Sequence, residues 1–211
     1  ILIIEGSNLL KKFKNELKSN EGDDKSKSID FNYQKTITNL IALSFIVCFM
    51  KSKIPFELVF AGKEVHEGEY IPVFQKELGD SFKYVGLVSG KTKTDFLGSL
   101  DVFVMPTYFE GLPVSLLETM SYGAVPVVTS VGSIPKVVNS ISLSQTENRN
   151  INKNGIFVKV KDVDSIVAAI KYLHENRDVL ASLSANARKT INENFSTERY
   201  VEKLNSVYTS L

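Results

Sequence analysis

The chain has 211 residues, 43% hydrophobic and 23% charged, with a net charge of +1. That near-neutral balance removes any composition-level case for binding nucleic acid or an acidic surface, so partners have to be argued from local sites. The single cysteine, Cys48, lies in an apolar run; it excludes an intramolecular disulfide and fits a reducing, cytoplasmic setting, while His66 and His174 are too few and too separated for a zinc set.

The length favours one α/β unit or part of a larger protein. A start at Ile1 without methionine leads us to expect a fragment or processed piece. In chain order, "ILII" at 1–4 reads as a strand, Leu9–Lys18 as a lysine-rich helix and "SNEGDDKSKS" at 19–28 as a solvated insertion. The helix is read as a solvated face, with contact to an anionic membrane surface as the alternative. "LIALSFIVCFM" at 40–50 is flanked by polar residues and is about half the roughly 20 residues that cross a bilayer, so a helix buried in a domain is expected.

Short β-branched runs then recur between amphipathic stretches: "FELVFA" at 56–61, "FKYVGL" at 82–87, "DVFVMP" at 101–106, "AVPVVT" at 124–129 and "GIFVKV" at 155–160. That alternation predicts βα units and a mostly parallel sheet covered on both faces. A polar loop is expected at 148–154. Beyond it, Asp162 is placed to cap a helix carrying Ile166, Ile170 and Leu173; a second helix carries Leu180, Leu183 and Ala187; and a last one puts Val201, Leu204, Tyr208 and Leu211 on one stripe.

In an open parallel sheet, ligands sit outside the carboxyl ends of the strands, where loops lead into helix starts. The strand at 101–106 delivers Thr107–Glu110 to that edge, within "FEGLPVSLLETMSYGAVPVV" at 109–128. Gly111 lets a ligand approach the backbone, and Pro113 suits the first turn of a helix whose amides around Leu112, Val114 and Ser115 point outward as a seat for phosphate. Glu110 precedes that anion-favouring end and Glu118 follows two turns along the helix. A carboxylate would repel a bare phosphate, so the pair makes more sense for a ligand with hydroxyls on both sides of its phosphates, as in a nucleotide sugar. The residues alone leave a second reading: Glu110 as an electrostatic cap and Glu118 on a solvated face.

"DVFVMPTYFEGLPVSLLETMSYGAVPVVTSVGSIPKVV" closely resembles the donor-binding half of the retaining, GT-B-fold glycosyltransferases of family four. The match runs through Pro106, Thr107, Glu110, Gly111, Pro113, Glu118, Met120, Gly123, Pro126, Val127 and Gly132. It continues weakly through "LVFAG" at 58–62, "VGLVSGKTKTDFLGSLDV" at 85–102, "NGIFV" at 154–158 and "NARKTINENFS" at 186–196. The resemblance covers residues 33–211 and leaves 1–32 as an N-terminal strand, helix and polar insertion. It implies an α/β, Rossmann-like parallel sheet with helices on both faces, one half of a GT-B fold, and a missing N-terminal domain that binds the acceptor, a glycan or lipid-linked glycan.

The resemblance also implies roles. Glu110 would contact the donor sugar, the backbone of Gly111, Leu112, Pro113 and Val114 would flank the diphosphate, and Glu118 would bind the ribose. "KTITNLIAL" at 35–43 makes Lys35 the candidate for neutralising the leaving diphosphate, with a solvated helix residue as the alternative. Tyr84 and Val85 would lie near the nucleobase, though a core strand explains them equally well. No metal or other cofactor is implied. Asp162-Val163-Asp164 has the D-x-D form of a metal site in the other major glycosyltransferase fold, but its place before a helix suits capping.

Two departures from the family pattern stand out. The arginine expected before Lys35 is absent, since the first arginine is Arg149; Ser7, or a residue near Ile29–Phe31, stands in its place. Its loss would weaken donor binding and leaving-group stabilisation by ~1–3 kcal/mol each. In addition, Ser133 and Lys136 replace a glycine and a glutamate in the turn after Gly132. These changes keep a non-catalytic nucleotide-sugar-binding or partner-stabilising subunit in view as the alternative function.

Overall fold

The β-branched runs pair side by side in a computed structural model that describes residues 2–4, as backbone, and residues 54–62, 71–143 and 152–209. The strands are β1 (Leu2–Ile4), β2 (Leu58–Ala61), β3 (Phe82–Gly86), β4 (Val102–Met105), β5 (Val125–Thr129), β6 (Ser140–Ile141) and β7 (Gly155–Val158). They form one sheet in the order β3-β2-β1-β4-β5-β7-β6, and every pairing is parallel. The helices are α1 (Ile71–Leu78), α2 (Gly90–Gly98), α3 (Val114–Ser121), α4 (Val163–Glu175), α5 (Arg177–Asn194) and α6 (Thr197–Thr209).

Period-two alternation sorts the strand side chains onto two covered faces. Val102 and Val104 of β4, Val125 and Val127 of β5, and Ile156 and Val158 of β7 pack with Phe74 of α1 and with Ile166, Ala169, Ile170 and Leu173 of α4. On the opposite face Phe103, Met105 and Val128 pack with Leu97 of α2 and Leu116 and Met120 of α3. Helix α5 serves both: Val179, Leu180 and Leu183 join the first cluster, Ala187 and Ile191 the second. A doubly covered parallel sheet is therefore the architecture, as the alternating runs predict.

Each expected strand is present, shortened at its ends. β6 was not expected, because two residues leave no periodic signal. It forms because the Ser140 hydroxyl accepts from the Phe157 amide at 2.8 Å and donates to the Ile141 carbonyl at 2.7 Å, tying the segment to β7. The Asp162 cap is as expected: its Oδ1 accepts from the Ser165 amide at 3.0 Å, and the Ser165 hydroxyl donates back to the Asp162 carbonyl at 2.8 Å. Asp162 thus serves the helix start, and Asp164 is exposed. On α6, Val201, Leu204 and Tyr208 are exposed and no residue of the helix is buried.

The polar loop expected at 148–154 ends on a buried residue. Asn154 is 1% exposed. Its side-chain amide donates to the Val137 carbonyl at 3.0 Å and to the Thr190 hydroxyl at 2.9 Å, while its Oδ1 accepts from the Asn139 amide at 2.7 Å. These bonds join the segment before β6, the start of β7 and α5. Asn154→Leu, similar in volume, would leave the Val137 carbonyl and the Asn139 amide unmatched, so we expect urea denaturation to show a loss of about 2–4 kcal/mol. A loss below ~1 kcal/mol would mean that water replaces the amide.

The order in which strands are added reverses between β1, whose next strand β2 lies on one side, and β4 on its other side; in open parallel sheets ligands bind at the strands' carboxyl ends beside such a switch point. Among the described residues no helix is long and apolar enough to cross a membrane. The helices expected at 9–18 and 40–50, the insertion at 19–28, and Lys35 lie outside the described residues.

Candidate functional site

Strand β4, buried on both faces, ends at Met105 beside the switch point. The loop that follows is anchored before it reaches the surface. Thr107, 1% exposed, accepts from the Phe109 amide at 3.4 Å and donates to the Phe109 carbonyl at 3.1 Å, while its own carbonyl accepts from the Thr129 hydroxyl at 2.6 Å. Phe109, Gly111 and Leu112 are exposed and Glu110 is half-buried.

Pro113 sits one position earlier than expected, as the N-cap of α3, with φ −71° and ψ 125°. The ring fixes φ, and the extended ψ turns the chain into the helix without an amide that would need a partner. This helix start receives no side-chain bond from its N-cap residue. It therefore presents the positive end of the helix dipole toward the loop carrying Glu110, a combination suited to an anion with attached hydroxyls.

A second loop, after β5, presses on the first. The Ser133 amide donates to the Gly111 carbonyl at 2.9 Å. Gly132 has φ +56°, and a Cβ there would overlap the Glu110 carbonyl oxygen. Glycine is required at this position both by backbone conformation and by the contact. At Gly111, in contrast, a Cβ would meet nothing within 4 Å. The protein's own packing leaves that position open, in line with close approach by a ligand.

Glu118 lies on α3, and its Oε1 accepts from Lys93 Nζ of α2 at 2.6 Å; each side chain is 37% exposed. The carboxylate is thus in an inter-helix ion pair, a contact that neither sequence reading included. Lys93 gave no linear signal, since nothing in "GKTKTDFLG" points 25 residues ahead. On the other flank, the ammonium of Lys161 lies 5.6 Å from the centre of the Tyr108 ring. Burial pushes the Tyr108 phenol above its ordinary value. The loop after β7 therefore reaches the loop after β4.

Tyr84 and Val85 are on β3, at the sheet's edge, and are 40% and 43% exposed, which overturns the core-strand explanation for them. The Tyr84 hydroxyl donates to the Gly62 carbonyl at 2.8 Å. Two strands, β2 and β1, lie between β3 and β4, roughly 14 Å at the usual spacing, so the structure does not place these residues beside Glu110. Arg188 does not supply the missing arginine: its guanidinium donates to the Tyr122 carbonyl at 2.9 and 3.1 Å, at the opposite end of α3. Lys136, in the short turn after Gly132, is exposed.

The family described as Glycosyl transferases group 1 matches residues 31–190. Among curated relatives, the lipopolysaccharide core biosynthesis mannosyltransferase LpsB of Rhizobium meliloti is 30% identical over 117 residues, covering 56% of this chain and 31% of the relative. The UDP-Gal:alpha-D-GlcNAc-diphosphoundecaprenol alpha-1,3-galactosyltransferase of Escherichia coli is 27% identical over 117 residues, covering 56% and 27%. The chain spans about a third or less of the length of these relatives. Among solved structures, Anabaena Alr3699/HepE in complex with UDP superposes with a TM-score of 0.64 at 15% identity, over 79% of this chain and 45% of that one. The likeness shows the fold: a Rossmann-like half of a GT-B arrangement.

Proposed function

The chain belongs to the glycosyl transferases group 1 family, and on that premise we propose that it is the donor-binding half of a retaining hexosyltransferase that moves a sugar from a nucleotide sugar to a glycan or lipid-linked acceptor. The observation that carries this reading is the clamped loop at the end of β4, which holds Glu110 and Gly111 at the start of α3 beside the switch point. The name of the galactosyltransferase relative, which includes a diphosphoundecaprenol acceptor, supports the lipid-linked class. The acceptor site belongs to the part of the protein that this chain does not span, and the assembly works in the cytoplasm, at the membrane surface when the acceptor is lipid-linked.

Transfer requires stabilisation of a departing diphosphate and of positive charge developing at the anomeric carbon. The amides of Gly111 and Leu112, and of Val114 at the start of α3, face the diphosphate, while Pro113 sets the turn. Lys35 adds a neutralising charge. Glu110 accepts from hydroxyls of the donor sugar and Glu118 from those of the ribose, and Tyr84 and Val85 border the nucleobase end. With retention, the acceptor attacks from the face of the leaving group and the diphosphate takes its proton, so neither glutamate serves as a nucleophile. The chemistry uses no metal.

Calorimetric titration with UDP, GDP and ADP, repeated in EDTA, tests the reading. Saturable binding of one of them is expected, unchanged by the chelator and lost in Glu118→Ala; no binding of any overturns it. The first arginine at Arg149 favours one other reading. A non-catalytic subunit would bind the nucleotide weakly or not at all, and the full-length protein would transfer no sugar.

A further inference from the structure

The Lys93–Glu118 ion pair joins two helices that enter the sheet from different strands, α2 after β3 and α3 after β4. Its electrostatic contribution to folding is small, because both partners are partly exposed and solvent screens the pair. Among the described residues, Lys93 is the only partner of the Glu118 carboxylate, and it meets one of the two oxygens. A carboxylate accepts up to about four hydrogen bonds, so one oxygen and part of the other remain for further donors. An exposed glutamate otherwise samples several rotamers, and a ligand that needs one of them has to freeze the rest.

We infer that Lys93 is a positioning residue that sets the selectivity of this site for a ribonucleoside: its grip on Oε1 holds the Glu118 carboxylate so that the remaining acceptor positions meet the paired ribose hydroxyls. The inference rests on the assignment of Glu118 to the ribose. Lysine is suited to the task because the ammonium sits at the end of a stem anchored on a separate helix, so it restrains the carboxylate from outside α3. Lys93 itself needs no contact with the nucleotide. The absence of the lysine would therefore be felt in discrimination between sugars more than in affinity for the base or the phosphates.

The test measures the affinity of wild type, Lys93→Met, Lys93→Arg and Glu118→Gln for UDP, GDP and ADP and for their 2′,3′-dideoxy counterparts. Wild type should prefer the ribose form by about tenfold or more, the worth of hydrogen bonds to a charged acceptor. Glu118→Gln should lose most of that preference. Lys93→Met should lose on the order of threefold to tenfold of it while holding the dideoxy ligand within about twofold, and Lys93→Arg should restore it.

A purely structural role would weaken both ligands of Lys93→Met equally and leave their ratio at the wild-type value, and that result overturns the inference. A larger ribose preference in Lys93→Met overturns it too, since the lysine would then be competing with the hydroxyls. If wild type binds a nucleotide but shows no ribose preference, or binds none, the assignment of Glu118 falls and the role of Lys93 falls with it. Loss of the Lys93 effect alone, with a normal wild-type preference, leaves the assignment of Glu118 standing.

Discussion

Gly132→Ala is expected to lower the unfolding free energy by about 2–4 kcal/mol and to weaken nucleotide binding at least tenfold. Two terms add. An L-residue at φ +56° costs about 1–2 kcal/mol relative to glycine. The new methyl would also overlap the Glu110 carbonyl oxygen and approach the Gly111 carbonyl at 3.0 Å, and neither atom belongs to a side chain that could rotate away. Relief requires one loop to move, which breaks the Ser133–Gly111 hydrogen bond of 2.9 Å and shifts the backbone of Glu110 and Gly111. The first loop resists, because Thr107 is tied to Thr129 and to Phe109. Denaturant melts report the stability change and titration the affinity. Gly111→Ala is the control: with open space around its Cβ it should alter stability by less than ~0.5 kcal/mol while still weakening the ligand. Wild-type affinity in Gly132→Ala would show that the clamp plays no part in binding.

Glu110→Gln, assayed in the full-length protein, is expected to reduce the rate of sugar transfer by about 10²–10³. The substitution keeps the shape and removes the charge, so on the proposed function it takes away the strongest acceptor offered to the donor sugar and the negative charge nearest the developing oxocarbenium character. Because Glu110 is assigned to the sugar, affinity for the bare nucleoside diphosphate should stay within about threefold. This split separates the catalytic reading from the simpler one. A carboxylate that only complements the α3 dipole would change stability by about 0.3–1 kcal/mol and leave turnover alone. Unchanged turnover in Glu110→Gln would therefore assign the residue to the helix.

Several parts of this fold were legible in the sequence because they depend on neighbours a few positions away. The alternation of Val102 and Val104 with Phe103 and Met105 assigns them to two faces wherever the strand lies. The Asp162 cap needs only Ser165 three residues on. The loop from Thr107 to Pro113 between an apolar strand and a helix already placed Glu110 at the strand's carboxyl end, and the family pattern gave it a partner in Glu118.

Other parts depended on which segments the folded chain brings together. "FKYVG" has the composition of a core strand, yet β3 lies at the sheet edge, so Tyr84 and Val85 are exposed. Strand composition reports the affinity of a segment for a sheet and leaves its position in the order open. β6 is too short to show a period and is held by one serine hydroxyl. Asn154 looks like part of a polar loop until Val137, Thr190 and Asn139 surround it. The need for glycine at 132 comes from the Glu110 carbonyl, and Lys93 reaches Glu118 from another helix. By itself the sequence determined the longer strands, the C-terminal helices, the two apolar faces and the loop that carries Glu110, because local periodicity and turn chemistry specify these. The tertiary structure alone decided the strand order, the clamp on that loop and the partner of Glu118, because such contacts arise only when crossovers bring remote segments within bonding distance.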